Sequence, residues 1–264
     1  SLRIREPIDA SKVEDKLLND LHTLIPLRDQ LVDWLILETS VTDQNKLKQI
    51  VLDLLERVLA LKFRPDEISS YQDWWFDALG IFVYEFFLYT IAILINSNMP
   101  KLIHELLTTH YMLPNSQKSD FDSFNVFYMY SRLLENRNKR LDSRRISPLA
   151  DLIRERATLK EVSFRDIMQA EALIFLVTAI SGIYHWYPHT SVFSGRGSTR
   201  FPLFIRAAQH QYFHRLQIIT GIESADEIRN KFKAYCDQAK MSHFEFDTGV
   251  SFWSNLNMDA LDTI

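Results

Sequence analysis

From Trp74 to Ile95 the chain reads WWFDALGIFVYEFFLYTIAILI, an apolar run interrupted only by the acids Asp77 and Glu85. A carboxylate near the centre of a bilayer costs about 2.5–3.5 kcal/mol, so the run is expected to be a helix buried on all sides in a protein core. A second run, Ala172 to Tyr187, offers only about a dozen clean apolar residues, against the roughly 20 that a membrane span needs. Helices apolar all round must be covered by other elements, and the rest of the sequence is patterned to supply them. Leu47, Ile50, Val51, Leu54, Leu55, Val58 and Leu59 recur at helical spacing, with Asp53, Glu56 and Arg57 opposite. No stretch alternates at period two for long enough to make a strand.

The expected fold class is therefore all-α, a compact multi-helix domain of about nine or ten helices. One repeat-like hairpin is included, FFLYTIAILINSNMPKLIHELLTTHYM, with no second copy at a regular period. Residues 1–264 read as one helical domain, with any seam near 137–163, and the opening Ser suggests a piece of a longer chain. Helix starts are marked by capping patterns at Ser11-Lys-Val-Glu14, Ser147-Pro148, Ser163-Phe-Arg-Asp166 and Ser224-Ala-Asp-Glu227. Loops are expected near 64–70, 114–120, 137–147, 157–163 and 186–201, and 242–264 is read as irregular or as carrying one short helix. With 47% hydrophobic and 24% charged residues the composition is that of a globular protein, which excludes disorder. A single Cys allows no internal disulfide and suits a reducing cytoplasm. Only six glycines disfavour glycine-rich phosphate loops.

Familiar catalytic patterns fail on spacing. His104 and His110 are six residues apart, not the four that let two imidazoles face one zinc ion, and Thr108 stands where the second His would be needed. Gly195-Arg-Gly197 opens like a dinucleotide fingerprint, but Arg200 replaces its third Gly and no strand precedes it. Arg206 lies too close to His210, and too far from His214, for the Arg-x(4–6)-His signature of helical ribonucleases. No metal and no cofactor is implied. His210 and His214 have no carboxylate or Cys in their segment to complete a ligand shell. Cys236 reads as a structural thiol, and the acids Glu85 and Glu171 as buried carboxylates that either pair with each other or neutralise arginines.

The distribution of charge is less ordinary. Residues 172–222 contain no Asp, Glu or Lys but four Arg and four His. On one continuous helix starting near Pro202, Arg206, His210, His214 and Gln217 would share a face. The preceding loop holds Trp186, Tyr187, Arg196 and Arg200. A second basic cluster comprises Arg137, Lys139, Arg140, Arg144 and Arg145. Segments 137–145 and 172–222 each carry +4, which leaves −12 on the rest of a chain whose net charge is −4. If the two segments meet, Arg137, Lys139, Arg140, Arg144, Arg145, Arg196, Arg200, Arg206 and His210 would form an anion-binding cleft. Trp186 and Tyr187 would then stack on a base.

The succession FFLYTIAILI, HYMLP, ENRNKRLDSRRISPLADLIRERA, FRDIMQAEALIFL and HWYP, over roughly residues 70–220, resembles a helical region of larger bacterial defence proteins. In those proteins it accompanies effector domains of the Toll/interleukin-receptor or sirtuin kind. The resemblance implies an accessory, sensing or oligomerising role and carries over no site residue. The expected function is thus a non-catalytic module that binds a nucleotide or nucleic-acid phosphate and regulates an effector domain in the same or another chain, without a membrane. One alternative is a pure interaction scaffold or homo-oligomer. Another is a helical nuclease whose composite site uses the histidines, arginines and Glu171.

Overall fold

A computed structural model describes residues 10–63, 73–113, 120–182, 186–195, 200–238 and 251–264. The chain is all-α. Helices α1 (Ala10–Thr23), α2 (Ile25–Val41) and α3 (Gln44–Ala60) lead to α4 (Asp77–Asn96) and α5 (Pro100–Thr108). Then come α6 (Arg132–Arg140), α7 (Pro148–Arg156) and α8 (Phe164–Ile180), followed by α9 (Pro202–Arg206), α10 (His210–Thr220), α11 (Ala225–Gln238) and the short α12 (Phe252–Asn255). One two-residue antiparallel pair, β1 (Tyr111–Met112) with β2 (Phe121–Asp122), aligns Tyr111 with Asp122. A pair this short falls below what side-chain alternation can signal.

Helix α4 is the axis of the fold. It has the length and mean hydropathy of a membrane-crossing helix, yet 89% of that apolar window is buried inside the protein. Its faces are covered by α1, α2, α3, α5 and α8. Helix α8, also largely apolar, packs along it and is in contact with α11 as well. Phe175 of α8 meets the rings of Phe232, Tyr235 and Phe252. The expectation of two wholly apolar core helices is met because other helices cover both.

Caps placed from sequence are largely found. Ser163 and Asp166 form the reciprocal capping box of α8, and Ser147 caps α7 by accepting from the Ala150 N–H. Ser224 Oγ accepts from Glu227 N–H at 3.4 Å ahead of α11. Ser11 departs from expectation. Helix α1 already includes Ala10, so Ser11 lies inside it, and Glu14 points instead to the arginines of α6. The loop expected over 137–147 also starts later, because α6 continues to Arg140. The loops expected at 64–70 and 114–119, and residues 242–250, lie outside the described residues.

The largest departure concerns the helix expected from Pro202 onward. It is broken at Ala207–Gln209 into α9 and α10. The interruption is stabilised by the far end of the chain: Asp262 N–H donates to the Ala207 carbonyl at 2.9 Å and Ile264 N–H to the Ala208 carbonyl at 2.9 Å. In return His210 N–H donates to the Ile264 carbonyl at 3.0 Å. Backbone groups freed by the break therefore find partners some fifty residues away along the chain, as burial requires.

Candidate functional site

Two carboxylates lie deep in the fold, and they take separate partners. Glu85 of α4 is sandwiched between two guanidinium groups: Arg28 Nη1 donates to one oxygen at 2.6 Å, and Arg156 Nη2 to the other at 2.8 Å. Arg156 also donates to the Leu21 carbonyl, and Arg28 lies 5.0 Å over the Tyr89 ring. Glu171 of α8 pairs with no arginine among the described residues. It accepts from the backbone N–H of His189 at 2.9 Å, from Thr190 N–H at 2.7 Å and Oγ1 at 2.5 Å, and from Tyr84 Oη. Burial raises its pKa, while the donors from Thr190, Tyr84 and His189 pull it back. These groups fasten the segment after α8 to the core.

His189 is part of the same assembly. Its Nε2 faces the Met129 carbonyl at 3.1 Å and so carries the hydrogen, leaving Nδ1 to face Ser147 Oγ at 3.4 Å. The Tyr128 ring stacks on the imidazole at 5.4 Å. Burial pushes the His189 pKa down to about 4, against the opposing pull of the Met129 carbonyl. The Ser147–His189 contact is sealed from solvent, and the second ring nitrogen serves a backbone carbonyl rather than an orienting acid. It has the character of a core contact, not of a nucleophile with its base.

The basic residues singled out in the sequence have unequal fates. Arg140 grips the buried Glu14, with Nε at 3.1 Å from Oε2, and Arg137 reaches Asp15 at 3.1 Å. Arg144 pairs with Asp142 at 3.2 Å, and Arg145 bridges Asp151 at 3.2 Å and Glu155 at 3.5 Å. Lys139 is exposed on α6 beside Glu135. Arginines of the first cluster are thus engaged by carboxylates of α1, α7 and the intervening turn. Arg137 and Arg145 line a cavity of about 270 Å³ beside Leu18 and Glu155.

The second basic segment lies elsewhere. Arg206 lines a different cavity of about 360 Å³, at the junction of α4, α5, α8, α9 and α10, which shares no residue with the first. The single cleft expected from joining the two segments is therefore replaced by two separate cavities. Arg200 is exposed, and its carbonyl accepts from Arg165 Nη2 at 2.6 Å. Arg196 lies outside the described residues. His210 meets Asp262 at 2.8 Å and His214 meets Gln217 at 3.0 Å, both on the surface. Glu171, sealed in the core, does not join them, so the composite nuclease site does not assemble from these groups.

Neither expected stacking ring forms an open platform. Trp186 is 2% exposed and packs among Tyr84, Phe87, Phe124 and Tyr128. Its indole N–H finds no partner among the described residues. Tyr187 is half-buried, with its ring 5.7 Å from that of His189. The physical reason for the correction is that the aromatic loop plugs the α4–α8 seam, where large rings gain most from burial.

Sequence reasoning missed Arg215 and Gln169. On one continuous helix Arg215, nine residues after Arg206, would point about 180° away from it. The break at 207–209 removes that constraint, and both arginines line the same cavity. Both also lie against one ring, with Arg206 Cζ 5.8 Å and Arg215 Cζ 5.1 Å from the Tyr212 centroid. Among the described residues neither has a carboxylate partner. Gln169 is 3% exposed, and its Oε1 accepts from Leu203 N–H at 2.8 Å. The amide nitrogen of Gln169 then stands without a partner among the described residues, on the wall of the cavity. His104 Nδ1, 3.0 Å from the Ile219 carbonyl, ties α5 to α10 along the same wall.

No group of three or more His, Cys, Asp or Glu side chains among the described residues could hold a metal ion. Cys236 is buried, and burial pushes its thiol up to about 12. Comparison with protein-family models, with curated proteins and with solved structures finds no match to the chain.

Proposed function

We propose that this protein is a non-catalytic helical module that binds an anionic ligand at the cavity beside α9 and α10, and that ligand binding regulates an effector domain of the bacterial defence type. One observation carries the reading. Arg137, Arg140, Arg144 and Arg145 are engaged by carboxylates, whereas Arg206 and Arg215 face a cavity with no acid salt-bridged to either among the described residues. A pair of guanidinium groups at a cavity wall with no acid salt-bridged to either among the described residues is a ready receptor for a carboxylate or a phosphate, since each offers planar, charge-assisted donors. Titration calorimetry at low salt with inorganic phosphate, ATP, short RNA and a simple carboxylate tests it. Binding by at least one anion is expected, lost in Arg206→Gln/Arg215→Gln and kept in Arg144→Gln. Absence of all binding rejects the proposal.

A second reading, an interaction scaffold, has its own support in α2. Leu27, Leu37 and Val41 are exposed on that helix at 44%, 58% and 70%. At 100° per residue the three fall within about 80° of one another, and an uncovered apolar stripe on one helix is what an assembly surface requires. A molecular mass that rises with concentration, and that falls back on Leu37→Lys, is the expected sign.

A further inference from the structure

The same cavity carries information about the kind of anion. Resting on the anion-binding reading above, we infer that it takes an amphiphilic monoanion: a carboxylate head on an aliphatic body. The lining is mixed: Arg206, Arg215, Gln169, Asn96 and Asn98 provide polar groups, and Leu94, Ile103, Leu203 and Ile219 provide aliphatic surface. Gln169 is a largely buried side chain whose oxygen is held by Leu203 N–H at 2.8 Å, which leaves its amide nitrogen as a donor for a ligand in the cavity.

Charge and shape argue against a nucleotide. The third charged side chain on the wall is Asp166, whose carboxylate already accepts from Ser163 N–H at 2.8 Å and Oγ at 2.6 Å to start α8. Two arginines against one fixed acid leave a single net positive charge, matched to a monoanion and not to a polyphosphate. None of the described lining residues is aromatic, so among them a base would find no ring on which to stack. Helix α5 opens at the same cavity with Pro100 and no side-chain cap, which adds the positive end of a helix to its lining.

The experiment is a chain-length series of linear monocarboxylates, acetate through decanoate below micellar concentrations, titrated against the wild-type chain alongside inorganic phosphate and ATP. Affinity should rise about fourfold for each added methylene until the cavity is filled, then level. Arg206→Gln should weaken every member of the series by a similar factor. Leu203→Ser should flatten the dependence on chain length and leave acetate unchanged. Affinity independent of chain length, with Arg206→Gln still damaging, overturns the aliphatic body and leaves the anion site standing. ATP binding more tightly than every carboxylate overturns it as well. Failure of all the anions rejects this inference and the anion site together.

Discussion

Arg156 holds Glu85 through two nitrogens at once, Nη2 at 2.8 Å and Nε at 3.1 Å from the same carboxylate oxygen, at a depth where the Glu85 side chain has no exposure. Arg28, likewise with no exposure, takes the other oxygen. Removing one member of such a cluster leaves charges stranded in the core, while replacing all of them removes the desolvation cost too. Glu85→Ala is expected to cost about 3–5 kcal/mol of stability in urea denaturation. The triple replacement Arg28→Met, Glu85→Leu, Arg156→Met should recover most of that loss. A single Glu85→Ala loss below about 1 kcal/mol contradicts the assignment, because that is the range of an exposed pair.

His189 makes stability depend on pH in a defined direction. Its folded pKa is about 4, against about 6.5 in an unfolded chain. Between those values the unfolded state binds more protons, so this contribution is complete above about pH 6.5 and is lost as pH falls toward 4, at up to about 1.4 kcal/mol per pH unit. Glu171 acts in the opposite sense. Its raised pKa gives a contribution present below the unfolded carboxyl value and lost as pH rises. The stability difference between wild type and His189→Gln isolates the imidazole. Measured by denaturation at several pH values, it should climb between pH 4 and 6.5 and be flat above; a flat difference throughout rules the mechanism out.

The two basic segments should separate experimentally. Arg140→Ala strips the guanidinium from the buried Glu14 and is expected to cost about 1–3 kcal/mol, with anion binding intact. Arg206→Gln, on an exposed side chain with no acid partner among the described residues, should change stability by no more than about 0.5 kcal/mol and weaken binding. Thermal melts and calorimetry on the two variants give the comparison, and loss of binding in Arg140→Ala would count against the division.

Trp186 offers a test of whether its ring serves packing or a ligand. Its indole N–H is buried with no partner among the described residues, so Trp186→Phe removes an orphaned donor worth about 1–3 kcal/mol while leaving a void of comparable cost. Stability within about 1.5 kcal/mol of wild type is expected, together with unchanged affinity for any anion. Weakened binding in a chain that stays folded would restore the stacking role.

Much of the architecture could be read from local pattern. The acids Asp77 and Glu85 in an apolar run distinguish a core helix from a membrane span, and Ser147 and Ser163 mark where α7 and α8 begin. These signals sit within a few residues of what they predict. The site was less legible because its geometry depends on distant partners. The break between α9 and α10 is completed by Asp262 and Ile264, and only that break brings Arg206 and Arg215 to one wall. Likewise nothing local to Arg140 shows that Glu14, far away in the chain, neutralises it. A run of arginines records charge but not the identity of its partners.

The burial of α4 also has a consequence in time. Its long-range cover includes α8, which begins at Phe164, well after α4 ends at Asn96. At synthesis rates of about 5–20 residues per second, an emerging chain leaves the face of α4 that α8 will cover open for several seconds. During that interval the helix has the length and hydropathy that membrane-targeting machinery and holding chaperones select. The acids Asp77 and Glu85 lower the apolarity of that exposed stretch, and Glu85, with Arg28 of α2 already made, gains its second arginine only once α7 has been made.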